Sequence, residues 1–449
     1  MALLKVSGVY RDGNKNNEMI DRITGKSFNS EEEKKEYLEF IENAKEYDHR
    51  KIGKDLDLFC FSEYVGPGLP LFTPRGTIII DELKKEMERI CKKYGFQKVS
   101  CPSLANIKLF ETSGHAMKFN EELFRVSSLR GHEFALKPVQ CPHHTQIYAS
   151  RMRSYKDLPI RYMESDKQYR AELPGAVGNS LSRVYAFTVE DGHIFCTREQ
   201  VKNEIINICK LIEEFYTKMG LWSDHWVSLS VRDYTHPEKY IGDINDWNLC
   251  EDLLEQISNE LKLNAKKCEG EAALYGPKLD FMFKDALGRE IQIPTIQLDF
   301  ATPKRFGLYY IDEKGEKQTP VMVHRAILGS YERFMVLLLE QSKGVLPIWL
   351  SPTQVNIIPV NKKYQGEYCE KFKQMLLDED IRVEYDDSKE NMNKKLLKSN
   401  MMKNPITVII GDNERDNNLV SYKLLGSDET LTLKLEEFIN YVKDEIRKR

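Results

Sequence analysis

His324-Arg325-Ala326-Ile327-Leu328-Gly329-Ser330-Tyr331-Glu332-Arg333-Phe334-Met335-Val336-Leu337-Leu338-Leu339 is the stretch on which the reading of this chain turns. Gly329 to Arg333 open a helix whose continuation, Phe334 to Leu339, is apolar enough to be fully buried. An arginine at the head of such a helix needs a partner, because a buried charge without one is costly. Glu332 can supply that partner from within the domain, or a bound anion can supply it from outside.

Working upstream, Tyr169-Arg170-Ala171-Glu172 follows a strand-like run and leads into Pro174-Gly175-Ala176-Val177-Gly178. That loop can bring backbone close to an anion, with Arg170 placed to neutralise a phosphate; a surface hairpin with a salt bridge fits the same residues. Cys141-Pro142-His143-His144 sets a thiol and two imidazoles within four residues, and Asp191-Gly192-His193 and His324-Arg325 each add a histidine. Zinc takes such ligands, yet no standard C-x-x-C or H-x-x-x-H spacing is present, so a core cysteine remains an alternative for Cys141.

The frame around these residues is that of an ordinary structured protein. The chain has 449 residues, enough for two or three domains, with 41% hydrophobic and 30% charged residues. Sixty-six Lys plus Arg against 70 Asp plus Glu leave a formal charge of −4, so any nucleic-acid contact must be a local patch. Nine cysteines without a repeating spacing point to reduced thiols and a cytoplasmic location. After Met1 the apolar run is cut at Lys5, which argues against a signal peptide, and no stretch approaches a membrane span.

Three segments follow from the pattern. Residues 1–45 are a polar opening followed by one helix, announced by Ser30 and Glu33 at capping-box spacing. Residues 46–350 mix an amphipathic helix over Asp81–Tyr94, β-like runs at Phe96–Cys101, Arg161–Glu164, Val184–Thr188 and Leu279–Phe283, and helices over Glu199–Met219 and Leu249–Leu261. That is an α+β pattern. Leu346-Pro347-Ile348-Trp349-Leu350-Ser351-Pro352 reads as a short packed linker. Residues 351–449 then alternate: strands at Val355–Val360, Ile381–Tyr385 and Ile406–Ile410, helices over 363–378, 389–402 and Leu435–Lys448, hence a small α/β domain.

In order, a strand ending at Pro102, Arg170-x-Glu172, and Gly329 with Glu332-Arg333 at the head of a buried helix resemble motifs 1, 2 and 3 of class II aminoacyl-tRNA synthetases. The resemblance is to the threonyl-tRNA synthetase family in particular. Asp48-His49-Arg50-Lys51-Ile52-Gly53-Lys54, Lys137-Pro138-x-x-Cys141-Pro142, Gly192-His193-Ile194-Phe195-Cys196, Tyr275-Gly276-Pro277-Lys278, Gln297-Leu298-Asp299-Phe300 and His324 to Ser330 carry it. It implies an antiparallel catalytic sheet flanked by helices, then an α/β anticodon-binding domain. It also implies a cytoplasmic homodimer, with the strand near Pro102 at its interface.

The resemblance further implies that ATP, L-threonine and tRNA(Thr) are the substrates, joined through a threonyl-adenylate. One zinc ion per subunit falls on Cys141, His193 and His324, and Mg²⁺ accompanies ATP. Arg170, Glu172, Arg183, Phe187, Gln292 and Arg333 match nucleotide contacts; Asp191, Tyr275 and Gln297 line the threonine pocket. His115 matches a histidine proposed to assist deprotonation of the tRNA terminal hydroxyl. Lys394, Lys395 and Lys398 lie in one predicted helix of the C-terminal domain, where a shared face would contact tRNA or simply be solvated.

Departures accompany the matches. The family's Gly-His after Cys-Pro is His143-His144 here, its Arg-Gly-Phe is Tyr185-Ala186-Phe187, and an expected Gln is Val189. The segments Asp387 to Asn391 and Val420 to Leu425 lack the Asn and Arg used on anticodon bases. Residues 1–45 are too short for the ubiquitin-like and editing modules of typical bacterial members, so an enzyme without in-chain editing is expected, one that also activates serine. Two other readings fit the departures: a paralogue that passes the adenylate to another acceptor or serves as an inhibitor-tolerant spare, and a non-catalytic RNA-binding regulator.

Overall fold

The computed structural model describes residues 2–11, 17–118, 120–173, 175–223, 225–285 and 288–448. Pro174, at the head of the phosphate-loop candidate, lies outside the described residues.

An eight-stranded sheet forms the centre of the larger part. Its order is Lys266–Glu269, His225–Val231, Lys278–Lys284, Glu290–Asp299, Val321–Ser330, Ala186–Cys196, Ile160–Tyr169 and Gln97–Lys98. Every pairing is antiparallel except the outermost one at each end. The register places His193 opposite His324 and His324 opposite Gln297, so three central strands present these side chains as direct neighbours. Between Val189 and Asp191 the partner jumps from Ser330 to Ala326. Gly329 permits that bulge: its φ is +61°, and a Cβ there would sit 3.1 Å from the Ile293 carbonyl oxygen.

Helices cover the other side of the sheet. The helix Pro74–Lys93 starts earlier than its apolar periodicity suggests, because Thr73 caps it by accepting from the Gly76 N–H and Pro74 supplies a ready-made first turn. It packs with Val201–Lys218 and Tyr331–Ser342 over a core that includes Leu83, Met87, Ile212, Phe215, Phe281 and Leu337, all buried. Ser330 caps the last of these helices by accepting from the Arg333 N–H at 3.1 Å, as Gly329-Ser330 foreshadowed. The expected strand Phe96–Cys101 is shorter: Gln97–Lys98 alone forms the edge strand. The N-terminal helix is Glu31–Glu46, with Ser30 accepting from Glu33 N and Asn29 N–H donating to the Glu33 carboxylate. A hairpin, Ala2–Tyr10 with Met19–Lys26, precedes it, where the polar composition suggested no strands.

Beyond the linker a five-stranded sheet runs Val383–Tyr385, Val355–Pro359, Ile406–Ile410, Leu419–Leu424, Leu431–Lys434, its first three strands parallel. Helices Lys362–Asp378 and Leu435–Arg447 bury a separate core around Ile357, Phe372, Val408 and Phe438. Arg382 holds the linker through the Trp349 and Ser351 carbonyls at 2.6 and 3.0 Å, and Arg75 reaches across to Glu384 at 2.6 Å. No described helix is long and apolar enough to cross a membrane.

Candidate active site

A cleft of about 340 Å³ opens over the central strands. Cys141, Arg170, Glu172, Arg183, Phe187, Asp191, His193, Tyr275, Gln292, Gln297, His324 and Arg333 all line it, from positions almost 200 residues apart in the chain. His115 is not in its wall: it is buried, with Nδ1 2.9 Å from Ser113 Oγ. Burial, then the nearby Arg170 charge, pushes its imidazole down to about 4, so it is neutral at pH 7.

One end of the cleft is cationic. Arg333 is lowered from the usual guanidinium range, by burial first and then by the Arg170 and Arg183 charges, while Glu172 opposes the effect. Arg170, Arg183 and Arg333, gathered at one end of the cleft, form a site for a polyanion. Arg170 also stands 5.3 Å from the centre of the Phe187 ring, and its Nε donates to the Pro138 carbonyl at 3.3 Å. The internal Glu332–Arg333 pair does not form. Glu332 instead accepts the Thr188 N–H at 2.9 and 3.0 Å, joining the helix to the strand behind Phe187. Burial pushes its carboxyl up to about 7.

The other end holds one thiol and two imidazoles. A ligand atom from each of Cys141, His193 and His324 lies within 4.8 Å of the others, and all three residues are buried. Each imidazole has one nitrogen committed elsewhere. His324 Nε2 lies 2.9 Å from Asp299 Oδ2, and His193 Nδ1 lies 2.7 Å from His144 Nδ1. The remaining nitrogens are His324 Nδ1 and His193 Nε2. Burial holds His193 well below the usual histidine range, as a metal ligand must be neutral. Burial also raises the Cys141 thiol and the Asp191 carboxyl, whose Oδ1 is 3.8 Å from His193 Nε2. Tyr275 stacks on His324 at 4.6 Å between ring centres and donates its O–H to Gln297 Oε1 at 2.5 Å. This donor set and its carboxylate-backed histidine fit a zinc ion whose coordination the protein leaves open toward the cleft.

Several residues that shape the cleft escaped the sequence reading. Asp299 accepts the Ala301 and Thr302 N–H groups on its other oxygen, so it fixes both a helix start and His324. Arg325 is fully buried, bonded to Glu190, with Phe96 under its guanidinium at 4.5 Å. Gln292, by contrast, was a candidate from the sequence; it lines the cleft, with its Nε2 donating to Asp280 at 2.7 Å. Asp299 sits two residues beyond Gln297 and Arg325 beside His324, so proximity to known candidates was the available signal.

The lysine patch needs correction. In the helix Met392–Met401, Lys395 is 5% exposed and its Nζ donates to the Asp386 carbonyl at 2.9 Å. Its side chain is part of the domain interior and not of an RNA-facing surface. Lys394 and Lys398 are exposed, the former paired with Glu390 at 2.9 Å.

Residues 124–342 match the family described as "tRNA synthetase class II core domain (G, H, P, S and T)", and residues 354–445 the "Anticodon binding domain". Threonine--tRNA ligase from Sulfurihydrogenibium sp. (strain YO3AOP1) is 42% identical over 442 residues, 98% of this chain and 68% of that protein. Its counterpart from Staphylococcus aureus (strain bovine RF122 / ET3-1) is 41% identical over 446 residues, 99% of this chain and 69% of that protein. Among solved structures, the RNA binding domain of threonyl-tRNA synthetase from Cryptosporidium parvum Iowa II superimposes with a TM-score of 0.83. It is 32% identical, covering 89% of this chain and 98% of the other.

Proposed function

The chain belongs to the threonine--tRNA ligase family of class II aminoacyl-tRNA synthetases and has that ligase activity; from this premise we propose how its own residues divide the work. Residues 46–350 are the catalytic domain, 351–449 the anticodon-binding domain, and 1–45 an extension. ATP, threonine and tRNA(Thr) are the substrates, and the enzyme works as a cytoplasmic homodimer.

In the first half-reaction the threonine carboxylate attacks the α-phosphorus of ATP and pyrophosphate leaves. Negative charge grows on the phosphoryl oxygens and the leaving group, so guanidinium groups already in place lower the barrier without reorganising. Arg170 takes the α-phosphate, while Arg183 and Arg333 hold the distal phosphates, whose Mg²⁺ arrives with ATP. Phe187 offers the adenine a stacking face, and Glu172 and Gln292 supply polar contacts. In the second half-reaction a hydroxyl of the tRNA terminal adenosine attacks the adenylate carbonyl, AMP leaves and the hydroxyl proton is lost; His115, neutral but buried outside the cleft wall, is the family's candidate to take it up.

Cys141, His193 and His324 would hold one zinc ion, which when bound supplies a Lewis-acid position for the amino group and side-chain hydroxyl of threonine. Around that position Asp191 accepts from the hydroxyl, and Tyr275 with Gln297 closes the pocket. Lys394 and Lys398 offer the tRNA a weak phosphate contact.

The observation that carries this reading is the meeting, in one cleft, of the Cys141–His193–His324 cluster with Arg170, Arg183 and Arg333. Threonine-dependent ATP–pyrophosphate exchange, run beside aminoacylation of total tRNA on zinc-loaded and chelated protein, tests it. Exchange and charging with threonine, both lost on chelation, are expected. Exchange without charging moves the acceptor away from tRNA, and no exchange by zinc-loaded protein removes the reading.

A further inference from the structure

His49 ties the helix that carries Arg333 to the loop that carries Arg183. It opens the short helix His49–Asp55 and is 3% exposed. Its Nδ1 lies 2.7 Å from Glu340 Oε1, and its backbone N–H donates to the same oxygen at 3.2 Å. On the other side of the ring, Nε2 lies 3.1 Å from Ser180 Oγ, and the Leu181 backbone N–H donates to Nε2 at 3.4 Å. An N–H can be given only to a lone pair, so Nε2 is the acceptor and the ring proton sits on Nδ1, aimed at the Glu340 carboxylate. That tautomer satisfies the Glu340 and Leu181 contacts, with Ser180 Oγ, which donates to Ser182 Oγ at 3.1 Å, lying beside Nε2.

Both ends of this bridge lead to the cleft. Glu340 stands two turns beyond Arg333 on the helix Tyr331–Ser342. Leu181 and Ser182 line the cleft directly before Arg183. Among the described loop residues Ala176 N–H donates to Leu173 and Ser180 N–H to Gly178, while Leu181 is buried in the main core and Val177 packs against Gly68. A Cβ built on Gly175 or Gly178 would meet open space. The Leu181 N–H bond to His49 adds a directional tie to that packing, of the kind that presents an arginine before its ligand arrives.

We infer that His49 is a positioning residue for ATP, holding Leu181 to Arg183 at a fixed distance from Arg333 through its Nδ1–Glu340 and Nε2–Leu181 contacts. The inference rests on the reading of the cationic end of the cleft as the ATP site. Threonine is spared, because Asp191, Tyr275 and Gln297 stand on other strands and loops.

Michaelis constants for ATP and for threonine in pyrophosphate exchange, measured on zinc-loaded His49→Asn and His49→Gln proteins, test it. Asparagine keeps a group near Nδ1 but cannot reach Leu181; the glutamine carbonyl reaches the place of Nε2. His49→Asn should raise KM for ATP about tenfold, the worth of one hydrogen bond, with KM for threonine within about twofold. His49→Gln should recover most of that loss. Equal behaviour of the two variants, or both constants moving together, overturns the inference while leaving the ATP site standing. Absence of exchange in the wild-type protein would instead remove the site. Hydrogen exchange of the wild-type protein without ATP needs no variant: the Leu181 amide should be protected relative to its loop neighbours, and an amide as fast as theirs overturns the anchor.

Discussion

His324 Nε2 lies 2.9 Å from Asp299 Oδ2, and both side chains are buried. The contact fixes which imidazole nitrogen faces Cys141 and His193. Asp299→Asn keeps the volume and one acceptor for the Ala301 and Thr302 N–H groups, and removes the charge. Zinc affinity, read by competition with a chromogenic chelator, should fall by about 10–100-fold. An affinity unchanged by the substitution would separate Asp299 from the metal.

Gly192 is a place where a methyl group has nowhere to go. A Cβ there would sit 2.4 Å from Arg325 Nε and 2.6 Å from its Cζ. Arg325 cannot yield, since Glu190, Cys91 Sγ at 3.3 Å and the Phe96 ring hold it inside the protein. Gly192→Ala should therefore lower stability by about 3 kcal/mol or more in denaturant titration, the scale of a disrupted buried ion pair.

These two cases mark where sequence patterns carry information and where they stop. The buried helix headed by Glu332-Arg333, the capped N-terminal helix and the alternation after Pro352 were legible, because capping residues and apolar period are local properties. The metal candidates came through the family resemblance more than through spacing, since His193 and His324 meet only when register sets their strands side by side, and Cys141 comes to them from the head of a helix. The partner of each was not legible. Glu332 pairs with a backbone N–H on a distant strand, a choice no periodicity records. Lys395 departs from its expected face because a lysine on an amphipathic helix ordinarily faces water; here Lys395 and Ser399, one turn apart, form the buried stripe.

Glu332 gives a pH signature with a definite sign. Its carboxyl rises from 4.5 to about 7 in the fold, chiefly through burial. A raised folded value means that the native state holds a proton the unfolded chain releases, so its stabilising contribution is present below pH 4.5 and is lost as pH climbs through 7. Glu332→Gln has no such proton. Between pH 4.5 and 8 the stability of the variant relative to wild type should increase by about 3 kcal/mol in urea titrations. A flat difference would place the carboxyl in its ordinary range.

Lys395 and its neighbours separate stability from RNA binding. Lys395→Ala strips a buried carbonyl of its donor and should cost about 1–3 kcal/mol. The salt dependence of tRNA binding should not change. The Lys394→Ala, Lys398→Ala pair should do the opposite, leaving stability near wild type and reducing the slope of log affinity against log salt by about 0.7 per lysine. A slope insensitive to the pair removes this helix from the tRNA surface.

Side-chain selection follows from what the pocket can and cannot feel. A site that binds the threonine hydroxyl through a metal and Asp191 leaves those groups unpaired when valine enters, which costs about 10⁴ in selectivity. Serine keeps the hydroxyl and gives up one methyl, a difference of about 1–3 kcal/mol, or roughly 10–200-fold. Pyrophosphate exchange by the zinc-loaded protein should therefore rank threonine over serine by no more than a few hundredfold in kcat/KM, with valine far below both. Asp191→Ala should compress the threonine-to-valine gap more than the threonine-to-serine gap, since it removes a contact to the hydroxyl that threonine and serine share. A variant that loses both ratios equally would mean that Asp191 shapes the pocket without touching the hydroxyl.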